Sequence, residues 1–263
     1  MRTLAVANHK GGVGKTATAH ALGTVLHARG LRVLLVDLDP QGSLTGSCGV
    51  GDAAGRSLAE VLGGATPGPL SLREVLRTLQ PGLALAPSDL ALAGVELGLV
   101  SRLGRENVLR RCLRSVEAEF DLAILDCPPS LGLLTVNALT AAEALLIPTP
   151  PQAVDLRGLR LFWETVERIR EELNPGLRVL GILPTFVDER LVHHREALAV
   201  LRAWGWPVLD VRVGRSVRVA EAAAVGESVV TYAPGHPPSR AFERLGEVVL
   251  RWYRESSGDS GRP

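Results

Sequence analysis

Lysine is almost missing from this 263-residue chain: of its 29 basic residues only Lys10 and Lys15 are lysine, and the other 27 are arginine. A sequence that writes arginine wherever a positive charge will do has kept lysine twice within HKGGVGKTAT (9–18). Cysteine is sparse as well. Cys48, Cys112 and Cys127 stand alone, with no CxxC pair and no histidine at metal-ligand spacing, which excludes a disulfide framework and a zinc site. Aromatics make up only 4% of the chain against 46% hydrophobic residues, so the core is drawn from Leu, Val and Ala. That composition suits parallel strands covered by helices. No stretch approaches the run of about 18 apolar residues that a membrane span needs, and MRTLAVAN enters an apolar strand without the layout of a signal peptide. A soluble, cytoplasmic protein is the expectation. The formal net charge of +1 excludes a histone-like polycation but leaves room for a local basic patch.

What is present is periodic. Apolar runs predict strands at 3–8, 32–37, 83–87, 122–126, 144–148, 178–185 and 207–211, with VVTYA (229–233) as a candidate eighth. Amphipathic segments at 17–28, 105–119, 156–173 and 193–204 predict helices between them. Strand, helix, strand, repeated, implies right-handed crossovers and an α/β fold: a mostly parallel twisted sheet with helices on both faces. GGATPGPL (63–70) reads as a surface loop rather than a linker, because helix-period residues resume at once in SLREVLRTL (71–79). One domain over 1–255 is expected, followed by a frayed polar tail at 256–263.

A strict P-loop, GxxxxGK[ST], would place glycine at position 9, where this chain has histidine. KGGVGKT (10–16) nevertheless lies directly after a strand and directly before a helix, and that context supplies the physics of the motif. Glycines let successive backbone N–H groups turn around phosphate oxygens, and the helix N-terminus adds the positive end of its dipole. Gly11, Gly12, Val13, Gly14, Lys15, Thr16 and Ala17 are the expected nucleotide contacts. Lys15 would reach the β- and γ-phosphates and the Thr16 hydroxyl would ligate Mg²⁺. A compact ammonium fits such a cradle better than a planar guanidinium does.

That account leaves Lys10 over. KGGVGKT resembles the deviant Walker A motif of the ParA/MinD class of P-loop ATPases. VLLVDLDPQGSLT (33–45) is similar to the switch I segment of that class, FDLAILDCPPSLGLLTVNAL (120–139) to its switch II segment, and RSVRVAEAAAVG (215–226) to a stretch found in ParA proteins. The resemblance covers nearly the whole chain. It implies ATP and Mg²⁺ as cofactors, and a homodimer closed by ATP in which Lys10 reaches the phosphates of the partner's nucleotide. It implies further that Asp39 orients the attacking water, that Asp126 holds Mg²⁺ through water, and that Asp37 stands behind as an outer partner of the ion. Lys10, Lys15 and Asp39 are then the catalytic set. His9, Ala17, Pro150 and Gly214 depart from the usual pattern. The last two are expected near the adenine pocket, which leaves phosphate chemistry intact and base selectivity open.

From Arg190 to Arg218, six arginines face only Glu196 and Asp210, a local charge of +4 on a nearly neutral chain. The resemblance implies nonspecific binding of double-stranded DNA through Arg190, Arg215 and Arg218, since phosphate contacts need charge rather than base-reading geometry. No helix-turn-helix precedes residue 1, so operator recognition is not expected. His193 and His194, adjacent on a helix, read as surface histidines, and Trp204 and Trp206 as core or interface anchors. The function implied is a DNA-segregation ATPase. Its dimer would coat the nucleoid until a ParB-type centromere-binding partner stimulates hydrolysis and releases it. An orphan relative positioning a non-DNA cargo would show the same sequence. A MinD-like membrane switch would need a C-terminal helix with a basic face, whereas five arginines mix with four acids from Arg240 onward, so no membrane contact is expected. A cluster-holding reductase would need paired cysteines, which this chain does not offer.

Overall fold

The computed structural model describes residues 1–63, 70–152 and 155–257. Most of the loop anticipated at 63–70 and of the tail anticipated at 256–263 lies outside the described residues. In chain order the elements are β1 (Arg2–Val6), α1 (Lys15–Ala28), β2 (Val33–Asp37), α2 (Ser43–Ser47), α3 (Leu58–Gly63), α4 (Leu72–Val75), β3 (Arg77–Gln80), β4 (Leu83–Ala86), α5 (Ala91–Leu99) and α6 (Val108–Arg114). They continue as β5 (Leu122–Asp126), α7 (Leu133–Ala141), β6 (Ala144–Thr149), α8 (Asp155–Glu172), β7 (Arg178–Val187), α9 (Val192–Ala203), β8 (Val213–Gly214), α10 (Val217–Ala224), α11 (Val229–Tyr232) and α12 (Pro237–Ser257).

The strands form one sheet in the order β3-β4-β2-β5-β1-β6-β7-β8. Every pairing is parallel except β3 with β4. Successive side chains on a strand point to opposite faces, so a sheet buried on both sides needs near-continuous apolar strands. That is what VLLVD and LAILD supply. Leu34, Val36, Ala123 and Leu125 join the core under α3 to α9. Val33, Leu35, Leu122 and Ile124 join the core under α1, α2 and α10 to α12. The mostly parallel sheet with helices on both faces is therefore as the periodicity predicts.

Three local expectations change. SLREVLRTL is not one helix: a capping box between Ser71 and Glu74 starts the single turn α4, and Arg77–Gln80 then pairs antiparallel with β4 as an edge strand. VVTYA is the short helix α11, because the Ser228 side chain accepts from the Val230 N–H and caps its first turn. The strand expected at 207–211 shrinks to a single bridge between Val208 and Ile182, and pairing resumes only at Val213–Gly214.

The register positions the chemistry. Val6 and Asp37 both lie opposite Asp126, so the C-terminal ends of β1, β2 and β5 stand side by side. Ligands of open parallel sheets bind at that edge.

Candidate active site

Between β1 and α1 the chain turns back on itself over Ala7 to Gly14. Gly12 and Gly14 have φ of 69° and 90°, the left-handed region that side chains with a Cβ rarely enter. Gly14 is the N-cap of α1 and brings no capping side chain, so the first amides of the helix are left for a ligand. The Thr185 hydroxyl on β7 donates to the Val13 carbonyl at 2.9 Å and pins the loop.

A cavity of about 490 Å³ opens over this loop, lined by Gly11, Gly12, Val13, Gly14, Lys15, Thr16 and Ala17, with His20 and Asp39 beside them. Away from the loop the lining is mostly apolar, with Phe186, Val219, Ala220, Ala223 and Val229, and includes Ser216 and Glu227. An amide-rich loop beside a largely apolar lining fits a nucleoside polyphosphate. Seven of the eight residues expected at nucleotide line this cavity; the eighth, Lys10, does not.

Lys15 is 6% exposed, and its Nζ donates to the Lys10 carbonyl at 2.9 Å. Burial pushes its ammonium below the usual lysine range, opposed by the charges of Asp126, Cys127 and Asp39. Asp126, at the end of β5, is fully buried, and neither carboxylate oxygen has a hydrogen-bond partner. Burial, then the neighbouring Asp37, raises its pKa well above the usual carboxylate range. The Thr16 hydroxyl lies close enough to oppose that rise, without reaching hydrogen-bond geometry. Buried polar atoms are nearly always partnered, so an orphaned carboxylate beside a hydroxyl is the mark of a site for a hard cation. The donor set fits Mg²⁺.

Asp37 does something different from standing behind an ion alone. Its Oδ2 accepts from the Thr45 amide at 2.8 Å and hydroxyl at 2.7 Å, and its Oδ1 from the Asp39 amide at 3.1 Å. It therefore fixes the whole 39–45 turn. Burial pushes its pKa up to about 6 against these hydrogen bonds. Asp39 accepts from the Gln41 amide at 3.0 Å and lines the cavity opposite the loop.

A second cavity, also about 490 Å³, lies on the other side of the same loop. Lys10 lines this one, with Pro150 and Arg215. Pro150 thus faces away from the first cavity, and Gly214 lines neither, so the two departures expected near the adenine do not touch that wall. Phe186, which sequence reasoning missed, lines both cavities and is the one non-glycine residue of positive φ (51°) among the described residues. An aromatic residue held there is a strained feature, and such strain gathers at functional sites. Nothing in the sequence marks it, because ILPTFV continues as an ordinary strand.

The basic stretch is more balanced than its own sequence window. Arg190 pairs with Asp188 at 2.9 Å, Arg212 with Glu189 at 2.9 Å and Arg218 with Glu221 at 2.8 Å. These acids all fall just outside the residues counted, and over 188–221 the net charge is +1. His194 is not a surface histidine: it is 6% exposed, and its Nδ1 accepts from the Asp188 amide at 3.1 Å. Trp206 stacks on Trp163 with ring centres 4.6 Å apart, while Trp204 stays 42% exposed.

Fold and site together define a P-loop NTPase whose phosphate loop carries an extra lysine. The AAA domain family matches residues 1–179. The chromosome partitioning protein ParA of Caulobacter vibrioides is 40% identical over 259 residues, which cover 97% of this chain and 96% of that protein. The chromosome-partitioning ATPase Soj of Thermus thermophilus is 41% identical over 257 residues, covering 97% and 98%. Among solved structures, cobyrinic acid a,c-diamide synthase from Mycobacterium smegmatis, with bound ATP analog and magnesium, matches with a TM-score of 0.86 at 37% identity, covering 97% of this chain and 96% of that one. The chain belongs to the AAA domain family and, within it, to the ParA/Soj partitioning ATPases.

Proposed function

We propose that this protein is a DNA-segregation ATPase that hydrolyses Mg-ATP to ADP and phosphate, within one domain spanning 1–255. ATP closes it into a homodimer that binds double-stranded DNA nonspecifically on the nucleoid, and a ParB-type partner stimulates hydrolysis and releases it. One observation carries the reading: the two lysines lie on opposite sides of one loop, Lys15 inside the nucleotide cavity and Lys10 outside it. Lys15 serves the β- and γ-phosphates of its own subunit. Lys10, exposed and absent from that lining, would serve the nucleotide of a second subunit.

The Thr16 hydroxyl would hold Mg²⁺ directly and Asp126 through water, with Asp37 ordering the turn that carries Asp39. The bound ion would supply charge neutralisation on the phosphate oxygens. Asp39 accepts a hydrogen bond from the attacking water and aims it. Phe186, Val219 and Ala223 receive the base on the apolar wall. The diamide synthase shares the fold, but fold alone does not carry an activity across.

Lys10→Ala tests the proposal. It should keep Mg-ATP affinity within a few fold by calorimetry and lose the ATP-dependent dimer by light scattering. A Lys10→Ala protein that dimerises like the parent would overturn the trans role. A parent dimer that forms with ATP yet ignores DNA would point to another cargo.

A further inference from the structure

We infer that His20 is a further nucleotide-binding residue, its imidazole N–H donating to a non-bridging oxygen of the α-phosphate, the phosphate joined to the ribose. His20 lines the cavity over the phosphate loop yet is only 8% exposed. Among the described residues nothing bonds its ring: the side-chain hydrogen bond made to this residue is the Thr24 hydroxyl donating to its backbone carbonyl at 3.0 Å. Buried polar groups are nearly always partnered, so an unbonded imidazole, more than nine-tenths buried and on the wall of a ligand cavity, is one that a ligand completes. Burial pushes its pKa down to about 4 and keeps the ring neutral, with one N–H to donate. With no partner on either nitrogen, the ligand decides which of them carries the proton.

The helix directs that N–H to one phosphate. Thr18 is the first residue of α1 to bond back, its amide donating to the Gly14 carbonyl at 3.0 Å, so the amides open to a ligand end at Ala17. His20 stands three residues beyond Ala17 and four beyond Thr16, which puts all three on one face of the helix, and all three line the cavity. Side chains on a helix lean toward its N-terminus, so the ring leans over the turn that carries Thr16 and Ala17. The loop and Lys15 are taken up by the β- and γ-phosphates, and the apolar lining of Val219, Ala223 and Val229 by the base. The α-phosphate is the anionic group between those two regions.

The inference rests on the nucleotide occupying this cavity, as proposed above, and Mg-ADP suffices to test it, because a contact to the α-phosphate needs neither the dimer nor DNA. Calorimetry follows Mg-ADP and its two analogues in which sulfur replaces one or the other non-bridging α-oxygen. NMR follows the His20 ring nitrogens, identified by their loss in His20→Leu or His20→Gln. Mg-ADP should fix one ring nitrogen as a donating N–H. His20→Leu, which keeps the bulk and removes the donor, should weaken Mg-ADP about tenfold, in line with a hydrogen bond to a charged group, and His20→Gln should recover most of that loss. The parent should bind the two sulfur analogues unequally, and His20→Leu should lose that inequality. A His20→Leu protein with parental Mg-ADP affinity, or with weaker affinity but the parental preference between the analogues, overturns the assignment and makes the ring a filler of space. Should His20→Leu fail to fold, a parent ring signal unmoved by saturating Mg-ADP overturns it equally. Lys15→Ala then separates the two readings: if it abolishes Mg-ADP binding, the nucleotide cavity stands without His20, and if it binds Mg-ADP like the parent, both fall.

Discussion

Lys15 is a buried cation, and among the described residues its ammonium bonds the Lys10 carbonyl and no carboxylate. A bound polyphosphate would replace that contact with a far stronger one, so Lys15→Ala should abolish Mg-ATP binding by calorimetry. Asp39 separates from it. Among the described residues its carboxylate bonds the local turn alone, and Asp39→Ala should still bind Mg-ATP, stop hydrolysis and accumulate dimer; a monomer with ATP present, by light scattering, would count against the closed-dimer mechanism. His20, in the same cavity, gives a pH signature. Burial lowers its pKa to about 4, so it stays neutral in the folded protein while the unfolded chain protonates near 6.5. The unfolded state then binds more protons between these values. Stability is full above about 6.5 and falls as the pH drops toward 4, by about 3 kcal/mol from this residue. His20→Gln should flatten the acid limb of the melting temperature measured from pH 7 to pH 4. His20 escaped the sequence reading because in ATAHALG it looks like any polar residue of an amphipathic helix.

At the scale of elements, the parallel strands were legible because each is buried on both faces and reads as an unbroken apolar run. The failures share a cause: local capping or pairing overrode periodicity. Arg77–Gln80 continues the helical pattern of the residues before it, yet it is an edge strand with alternate side chains exposed, and only its pairing with β4 reveals it. The phosphate loop was legible from glycine and lysine spacing. The link between α5 and α7 was not, since it joins residues far apart in sequence. Glu96 on α5 accepts from the Leu134 amide at 3.1 Å in the first turn of α7, whose N-cap is Gly132 with no side chain to offer. This carboxylate is the cap of the helix that follows the Asp126 turn. Glu96→Ala should cost about 1 kcal/mol, in line with lost caps and helix-terminal carboxylates, and should speed hydrogen exchange at Leu134. Glu96→Gln, which keeps an acceptor oxygen, should restore most of the protection. Equal exchange in parent and Glu96→Ala would show that α7 is held by packing alone.

The whole molecule sets how charge is used. With a net charge of +1 and a balanced 188–221 region, the DNA binding proposed above would draw little from a standing field. Arginines released from acids they hold in the free protein would supply part of it. Arg190 illustrates the exchange. It is bound by both oxygens of Asp188, and that bonding lowers the Asp188 pKa to about 2, so the acid stays ionised wherever the protein is folded. A DNA phosphate must therefore compete with a carboxylate that no ordinary pH removes. Asp188→Asn keeps the backbone amide that His194 accepts from, while deleting the competing charge. Affinity for duplex of any sequence should rise several-fold at low salt. Because each phosphate newly paired contributes a log-log salt slope of roughly −0.9, the dependence on salt should also steepen by about that amount. Arg190→Ala should weaken binding and flatten the slope, and the double variant should resemble Arg190→Ala, since the acid matters only through its partner. Fluorescence anisotropy across a salt series reads all three. If Asp188→Asn binds duplex no better than the parent, Arg190 makes no phosphate contact, and the DNA-facing surface of this ATPase lies elsewhere.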